Sequence, residues 1–288
     1  MATITYWRLF GRSNALEKDL MPDHYSEPMS SLDPALVHAL NARLVNYAEI
    51  GSTPADHALV QISTIAAVLD RKYDGDATIG ELLKAGDLGV GTLNGLDGEL
   101  IIVDGEAWQA PAKGPVRRVG DEEQTPFAVV TRFITDEIVE IDAPLNHAAL
   151  IELMEQHAPP ESGCDAVRID GSFPTLHLRT VDAQTKPYPP FEQIVANQTE
   201  WHYENLRGTL VGFRFPHAAD SVEMAGHHLH FISDDRSKAG HVLECSAGPA
   251  TLRVESVGAM RLELPPGVEL PGPDDRPTEQ HLREIEGG

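Results

Sequence analysis

Apolar and polar positions divide the chain into a weakly patterned opening and a long, strand-rich remainder. In the opening, the first twenty residues fit a strand or an ordered tail, and PDHYSEPMSSLDP has loop composition. Apolar residues then fall at helical spacing from Ala35 to Ile50, with Asp33-Pro34 as the start signal, so a helix is expected there. Ala58–Asp70 is apolar enough for a buried strand or a buried helix. Thr78 precedes a short apolar run, Ile79–Ala85, and Glu81 lies three residues on, which predicts a capping box; Gly86 supplies the stop. VGTLNGLDGELIIVDGEAWQA predicts two strands joined by turns at Asn94-Gly95 and Asp97-Gly98, with a further turn at Asp104-Gly105.

Phe127–Phe133 is a further strand. Residues 145–157 repeat apolar positions at i, i+3 and i+4, so a helix is expected, ended by Pro159-Pro160. Ala166–Asp170 and Thr175–Val181 are expected as two strands, KPYPP as a break, and Phe191–Asn197 as a short helix. Arg207–Phe215, His227–Ser233, His241–Ser246 and Thr251–Leu264 then follow with short turns, the spacing of an antiparallel, curled sheet. The tail starts as loop and closes with a helical turn over Thr278–Glu286. The expected class is mixed α/β (α+β) with two sheet-containing lobes, the first mixed and the second antiparallel. The expected division is an extension over 1–55, a first lobe over 56–186, and a second lobe with tail over 187–288.

Composition narrows the partners. The chain has 288 residues, 41% hydrophobic and 23% charged, an ordinary globular balance. A formal net charge of −23 argues against a nucleic acid or an anionic membrane surface as partner, since both require clustered Lys and Arg. No apolar run reaches membrane-spanning length. The N-terminus lacks the pattern of a secretory signal, and Cys164 and Cys245 are too few for a disulfide framework, so a cytoplasmic protein is expected.

The sharpest chemical signal is AGHHLHFISDDRSKAGHVLEC. In a strand, alternate side chains share a face, so His228 and His230 point together while His227 and Leu229 point away. His241 follows eleven positions on, beyond the turn-like DDRSKAG, and falls on the adjacent antiparallel strand. Three convergent imidazoles suit zinc and leave a coordination position for substrate. Two other classes remain open at this point: a non-haem iron enzyme using HLH with Glu244 or an Asp, and a non-catalytic metal-binding protein.

These motifs also carry a family resemblance. GTLVGFRFP with GHHLHFISDDRSKAGHVLE, together with TIGELLKAGDLGVGTLNGLDGELIIVDGEAWQ, TPFAVVT and LHLRTV, resembles the α-acetolactate decarboxylases from about Gln61 to the C-terminus. The resemblance implies zinc on His228, His230 and His241, conversion of 2-acetolactate to acetoin and carbon dioxide, and a homodimer. It also implies site roles for Glu99 in the LDGE turn, Arg179 in the RTV motif, Thr92, and a late glutamate, Glu286 or Glu284. The chain departs from the family pattern where Gly-His-His replaces an aromatic residue before the first ligand. The absence of a dinucleotide fingerprint or a phosphate loop agrees with metal-only catalysis.

Overall fold

Short, mostly apolar runs between turn residues form strands because only a pleated sheet buries such runs while pairing their backbone groups. In the computed structural model, which describes residues 42–45, 57–158, 163–216, 219, 222–265 and 267–268, these strands form two main sheets. The first part of the chain provides β1 (Ala42–Val45), β2 (Ala58–Ile62), α1 (Ile65–Leu69), β3 (Ala77–Thr78), α2 (Ile79–Ala85), β4 (Leu88–Thr92), β5 (Glu99–Val103), β6 (Glu106–Ala110), β7 (Arg117–Arg118), β8 (Gln124–Thr125) and β9 (Phe127–Thr131). The second part provides β10 (Glu137–Ile141), α3 (His147–His157), β11 (Cys164–Thr180), α4 (Phe191–Val195), β12 (Thr199–Phe215), β13 (Gly226–Ser233), β14 (Ala239–Ser246), β15 (Ala250–Val257) and β16 (Ala259–Glu263).

The first sheet is mixed, in the order β1-β16-β2-β9-β4-β5-β6-β7, and β3 pairs with β8 separately. Its central strands β2, β5 and β9 are buried on both faces. One face, with Leu59, Val90, Ile101 and Val129, packs on Val211, Phe213 and Ile232 of the second sheet. The other, with Val60, Leu100, Ile102 and Ala128, is covered by Ile79 and Leu82 of α2. The predicted capping box at Thr78 is present: its side chain accepts from Glu81 N while Glu81 accepts from Thr78 N, a cap of about 1 kcal/mol.

The second sheet is antiparallel, in the order β10-β15-β11-β12-β13-β14, and β14 also pairs with β11, so β11 to β14 curl into a closed unit. The face opposite the His230 row, with Ile169, Leu210 and Phe231, packs in one cluster with Leu150 and Met154 of α3. The described residues fall in one compact unit. Cys164 and Cys245 are buried free thiols. No helix among the described residues is long and apolar enough to cross a membrane.

Several expectations need correction. The helix over Ala35–Ile50 is replaced, where described, by β1: Ala42–Val45 pairs in parallel with Met260–Glu263. Pairing the edge of β16 outweighs local helix spacing there. Ala58–Asp70 is neither all strand nor all helix. β2 ends at Ile62, the next residue Ser63 has a φ of 66°, and Thr64 then caps α1 by accepting from Ala67 N at 3.1 Å. The two strands expected over 166–181 are one, β11. It runs through Pro174 because its neighbour changes there, from β15 (164–171) to β14 (175–179). The expected strand Thr251–Leu264 breaks at Gly258 into β15 and β16, which lie in different sheets. Sheet membership therefore changes between β9 and β10, upstream of KPYPP, and changes back at β16. The expectations over residues 1–34, for Pro159-Pro160 and for Thr278–Glu286 lie outside the described residues.

Candidate metal centre

The three histidines meet as their strand register requires. His230 on β13 sits directly opposite His241 on β14, and His228 lies two residues from His230 on the same face. Strand β12 brings β13 close: Gly212 pairs with Leu229, and a Cβ there would stand 2.0 Å from the His228 carbonyl oxygen. One nitrogen from each ring lies within 4.8 Å of the other two. The ring centroids are 5.0, 5.2 and 5.3 Å apart. His230 and His241 are buried and His228 is nearly so.

Hydrogen bonds behind two of the rings decide which nitrogen faces the cleft. His228 Nδ1 is 2.9 Å from Glu223 Oε1, and His230 Nδ1 is 2.9 Å from the carbonyl oxygen of Leu100 on β5. Both partners are acceptors, so both Nδ1 atoms donate, and in neutral rings both Nε2 atoms carry lone pairs. Those Nε2 atoms are 3.2 Å apart. Two facing lone pairs at that distance repel unless a proton or a metal cation stands between them. Four ligands arranged tetrahedrally at zinc bond lengths of about 2.0–2.1 Å lie about 3.4 Å apart. The donor set and its spacing therefore fit a zinc-sized ion.

The first sheet supplies the facing groups. Glu99, the first residue of β5, places Oε2 3.5 Å from His230 Nε2. Thr92 is its cross-strand partner on β4, and its hydroxyl donates to Gly98 O at 2.7 Å, tying the turn that precedes Glu99. Arg179 on β11 is buried, sits opposite His241, and donates to Gln198 Oε1 at 3.3 Å. Thr92, Glu99, Arg179, His228 and His241 line one cleft with Ile65, Val68, Leu96, Phe127, Val181 and Phe191. Six of the residues expected from the sequence thus converge: the three histidines, Glu99, Thr92 and Arg179. Glu286 and Glu284 lie outside the described residues. Glu244 pairs with His177 in the strand register and is not among the ligands that cluster at the triad.

Other contributors have no sequence signature. Glu223 precedes β13 on a loop held by Gln61, whose side-chain amide donates to Val222 O at 2.7 Å. Nothing periodic marks Glu223, although histidine ligands are generally backed by a carboxylate or carbonyl. The Leu100 carbonyl is main chain and leaves no trace in a sequence. His227 points away from the triad, toward Glu155 at 3.7 Å, as its parity requires, and burial lowers its pKa to about 4.

Two sheets that face a tri-imidazole cluster, a carboxylate and a guanidinium across an apolar cleft define a candidate mononuclear metal site of catalytic type. Comparison with known proteins narrows the class. The family model for alpha-acetolactate decarboxylase matches residues 59–270. The chain is 39% identical over 210 residues to the Alpha-acetolactate decarboxylase of Methylococcus capsulatus, covering 73% of this chain and 81% of the relative. It is 37% identical over 207 residues to that of Bacillus subtilis, covering 72% of this chain and 81% of the relative. A crystal structure of the Bacillus subtilis alpha-acetolactate decarboxylase superposes with a TM-score of 0.75 at 35% identity, over 80% of this chain and all of that one. The chain belongs to the α-acetolactate decarboxylase family. It is an acetolactate decarboxylase, a carboxy-lyase.

Proposed function

We propose that the cleft binds zinc through His228, His230 and His241 and there converts 2-acetolactate to acetoin and carbon dioxide. The observation that carries the proposal is the commitment of two imidazole Nδ1 atoms as donors, which leaves their Nε2 lone pairs 3.2 Å apart and facing each other.

The substrate is a β-keto acid. Breaking its carboxyl–carbon bond releases carbon dioxide and leaves an electron pair that moves onto the ketone oxygen, giving an enediolate; a proton then completes the product. When bound, zinc supplies positive charge that stabilises the oxygen taking up that pair. Arg179 holds the departing carboxylate: its planar fork matches both oxygens and sets the torsion of the bond to be broken. Gln198 fixes the guanidinium from behind. Orientation is the useful effect, because a salt bridge alone would stabilise the substrate more than the transition state. Glu99 delivers the proton to the carbon, and Thr92 positions it through Gly98. The apolar walls at Ile65, Val68, Leu96, Phe127 and Phe191 exclude water, which strengthens each charge interaction in the cleft. A late glutamate, Glu286 or Glu284, is the other candidate acid. We place the enzyme in the cytoplasm, where its two buried thiols stay reduced, as a homodimer.

The test is acetoin release from 2-acetolactate, measured on purified protein, after chelation, and after zinc is restored. The expected result is about one zinc per chain, activity lost with the metal, and activity regained with zinc. Full turnover by metal-free protein, or no metal uptake, would overturn the proposal.

A further inference from the structure

Beside the triad, a second cluster of side chains with metal-ligand chemistry stands on the β11–β12 hairpin. His177 on β11 and His202 on β12 are direct cross-strand partners. Their rings stack with centroids 4.0 Å apart and planes 20° from parallel. Glu200 lies two residues before His202 on the same face, and its Oε2 is 2.7 Å from His177 Nε2. One donor atom from each of the three residues lies within 4.8 Å of the others. Glu244 sits opposite His177 on its other side, on β14.

The cluster shares no residue with the triad and begins on its row. The row His241–Arg179–Glu200 crosses β14, β11 and β12, and the row Glu244–His177–His202 follows it toward the open end of the hairpin. His177 is 24% exposed and Glu200 43% exposed at their side chains, so an ion reaches them directly from solvent.

We infer that His177, Glu200 and His202 form a second binding site, for a divalent first-row transition ion of the zinc class. Three arguments support it. Two imidazoles and a carboxylate are a borderline-soft donor set, which zinc, nickel and copper accept and which calcium or magnesium does not favour. The frame is rigid, because the two histidines sit on neighbouring paired strands and Gln198 Nε2 donates to Glu200 Oε1 at 2.7 Å. The hydrogen bonds from Gln198 and His177 hold the Glu200 carboxyl below its usual pKa, so it offers a charged oxygen. Side-chain rotation of about 1 Å brings donors 4.8 Å apart or less to the roughly 3.4 Å spacing of a tetrahedral ion, and Glu244 or water completes the shell.

The experiment is equilibrium dialysis of the zinc-loaded protein against zinc chloride in the low micromolar range, with metal counted by elemental analysis. Wild type is expected to take up a second equivalent per chain. His202→Ala, an exposed change, is expected to stop at one equivalent and keep its acetoin-releasing activity. Glu200→Gln is expected to weaken the second equivalent at least 10-fold, since even groups outside the ligand shell change affinity by 10–100-fold. His228→Ala separates the two readings: it loses the first equivalent and turnover but retains the second. Saturation of wild type at one equivalent, or an unchanged second equivalent in His202→Ala, would overturn the inference.

Discussion

Replacing Glu223 is the sharpest test of how the triad is held. Its carboxylate lies 2.9 Å from His228 Nδ1, and only 1% of the residue is exposed. Two effects follow from that contact. It fixes the tautomer that puts the Nε2 lone pair in the cleft, and its charge makes the imidazole a stronger donor to a cation. Glu223→Gln keeps the size and one acceptor oxygen but removes the charge. Glu223→Ala removes both and leaves a void beside the ring. Loss of such an outer partner typically weakens metal binding 10–100-fold, or about 1.4–2.7 kcal/mol. We expect Glu223→Gln near the lower limit and Glu223→Ala near the upper. The assay is zinc affinity by competition with a chromophoric chelator, alongside a thermal melt of the metal-free protein. The melt separates loss of the metal from loss of the fold. Once each variant is saturated with zinc, kcat is expected to recover most of its value, because Glu223 lies behind the ligand and outside the cleft. A folded Glu223→Gln or Glu223→Ala variant that binds zinc as tightly as wild type would refute the reasoning.

Three further expectations concern other groups. Arg179→Lys keeps the charge but loses the two-pronged fit, so kcat/KM for acetolactate should fall about 100-fold with zinc content unchanged; steady-state kinetics with metal analysis checks this. Thr92→Val removes the 2.7 Å bond to Gly98 O and should lower kcat about 10-fold without altering zinc affinity, whereas an unchanged kcat would leave Thr92 with no positioning role. Glu255 is fully buried, and burial raises its pKa to about 7. Because the folded-state value exceeds the unfolded one, its stabilising contribution is complete below about pH 4.5 and is lost as pH rises toward 7. Glu255→Gln should therefore raise the melting temperature at pH 8, by the equivalent of roughly 3 kcal/mol, and change it little at pH 4.5.

Where local chemistry governs, the sequence carries the structure. Thr78 and Glu81 are three residues apart and find each other by helix geometry alone, so the cap is legible. His228 and His230 share a face by strand parity, and His241 reaches them across one hairpin. Long-range pairing is not legible. Nothing in Ala42–Val45 announces a parallel partner in Met260–Glu263, because parallel strands meet only through distant crossovers. Ala166–Asp170 and Thr175–Val181 read as two strands, yet they are one, and the stretch around Pro174 is where β11 exchanges one neighbour for another. The site follows the same division. Its ligands are patterned, while the groups that aim them are a loop carboxylate and a main-chain carbonyl, fixed by tertiary packing.

The return of β16 to the first sheet has a mechanical consequence. A single glycine separates the end of β15 from a strand clasped between β1 and β2, so the layer that bears the histidines is riveted to the layer that bears Glu99 and Thr92. The gap across which carboxylate and imidazole face each other is thereby gauged by covalent chain as well as by packing. Neither layer can melt or slide without pulling on the other, and the distances on which the chemistry depends stand or fall in one cooperative step.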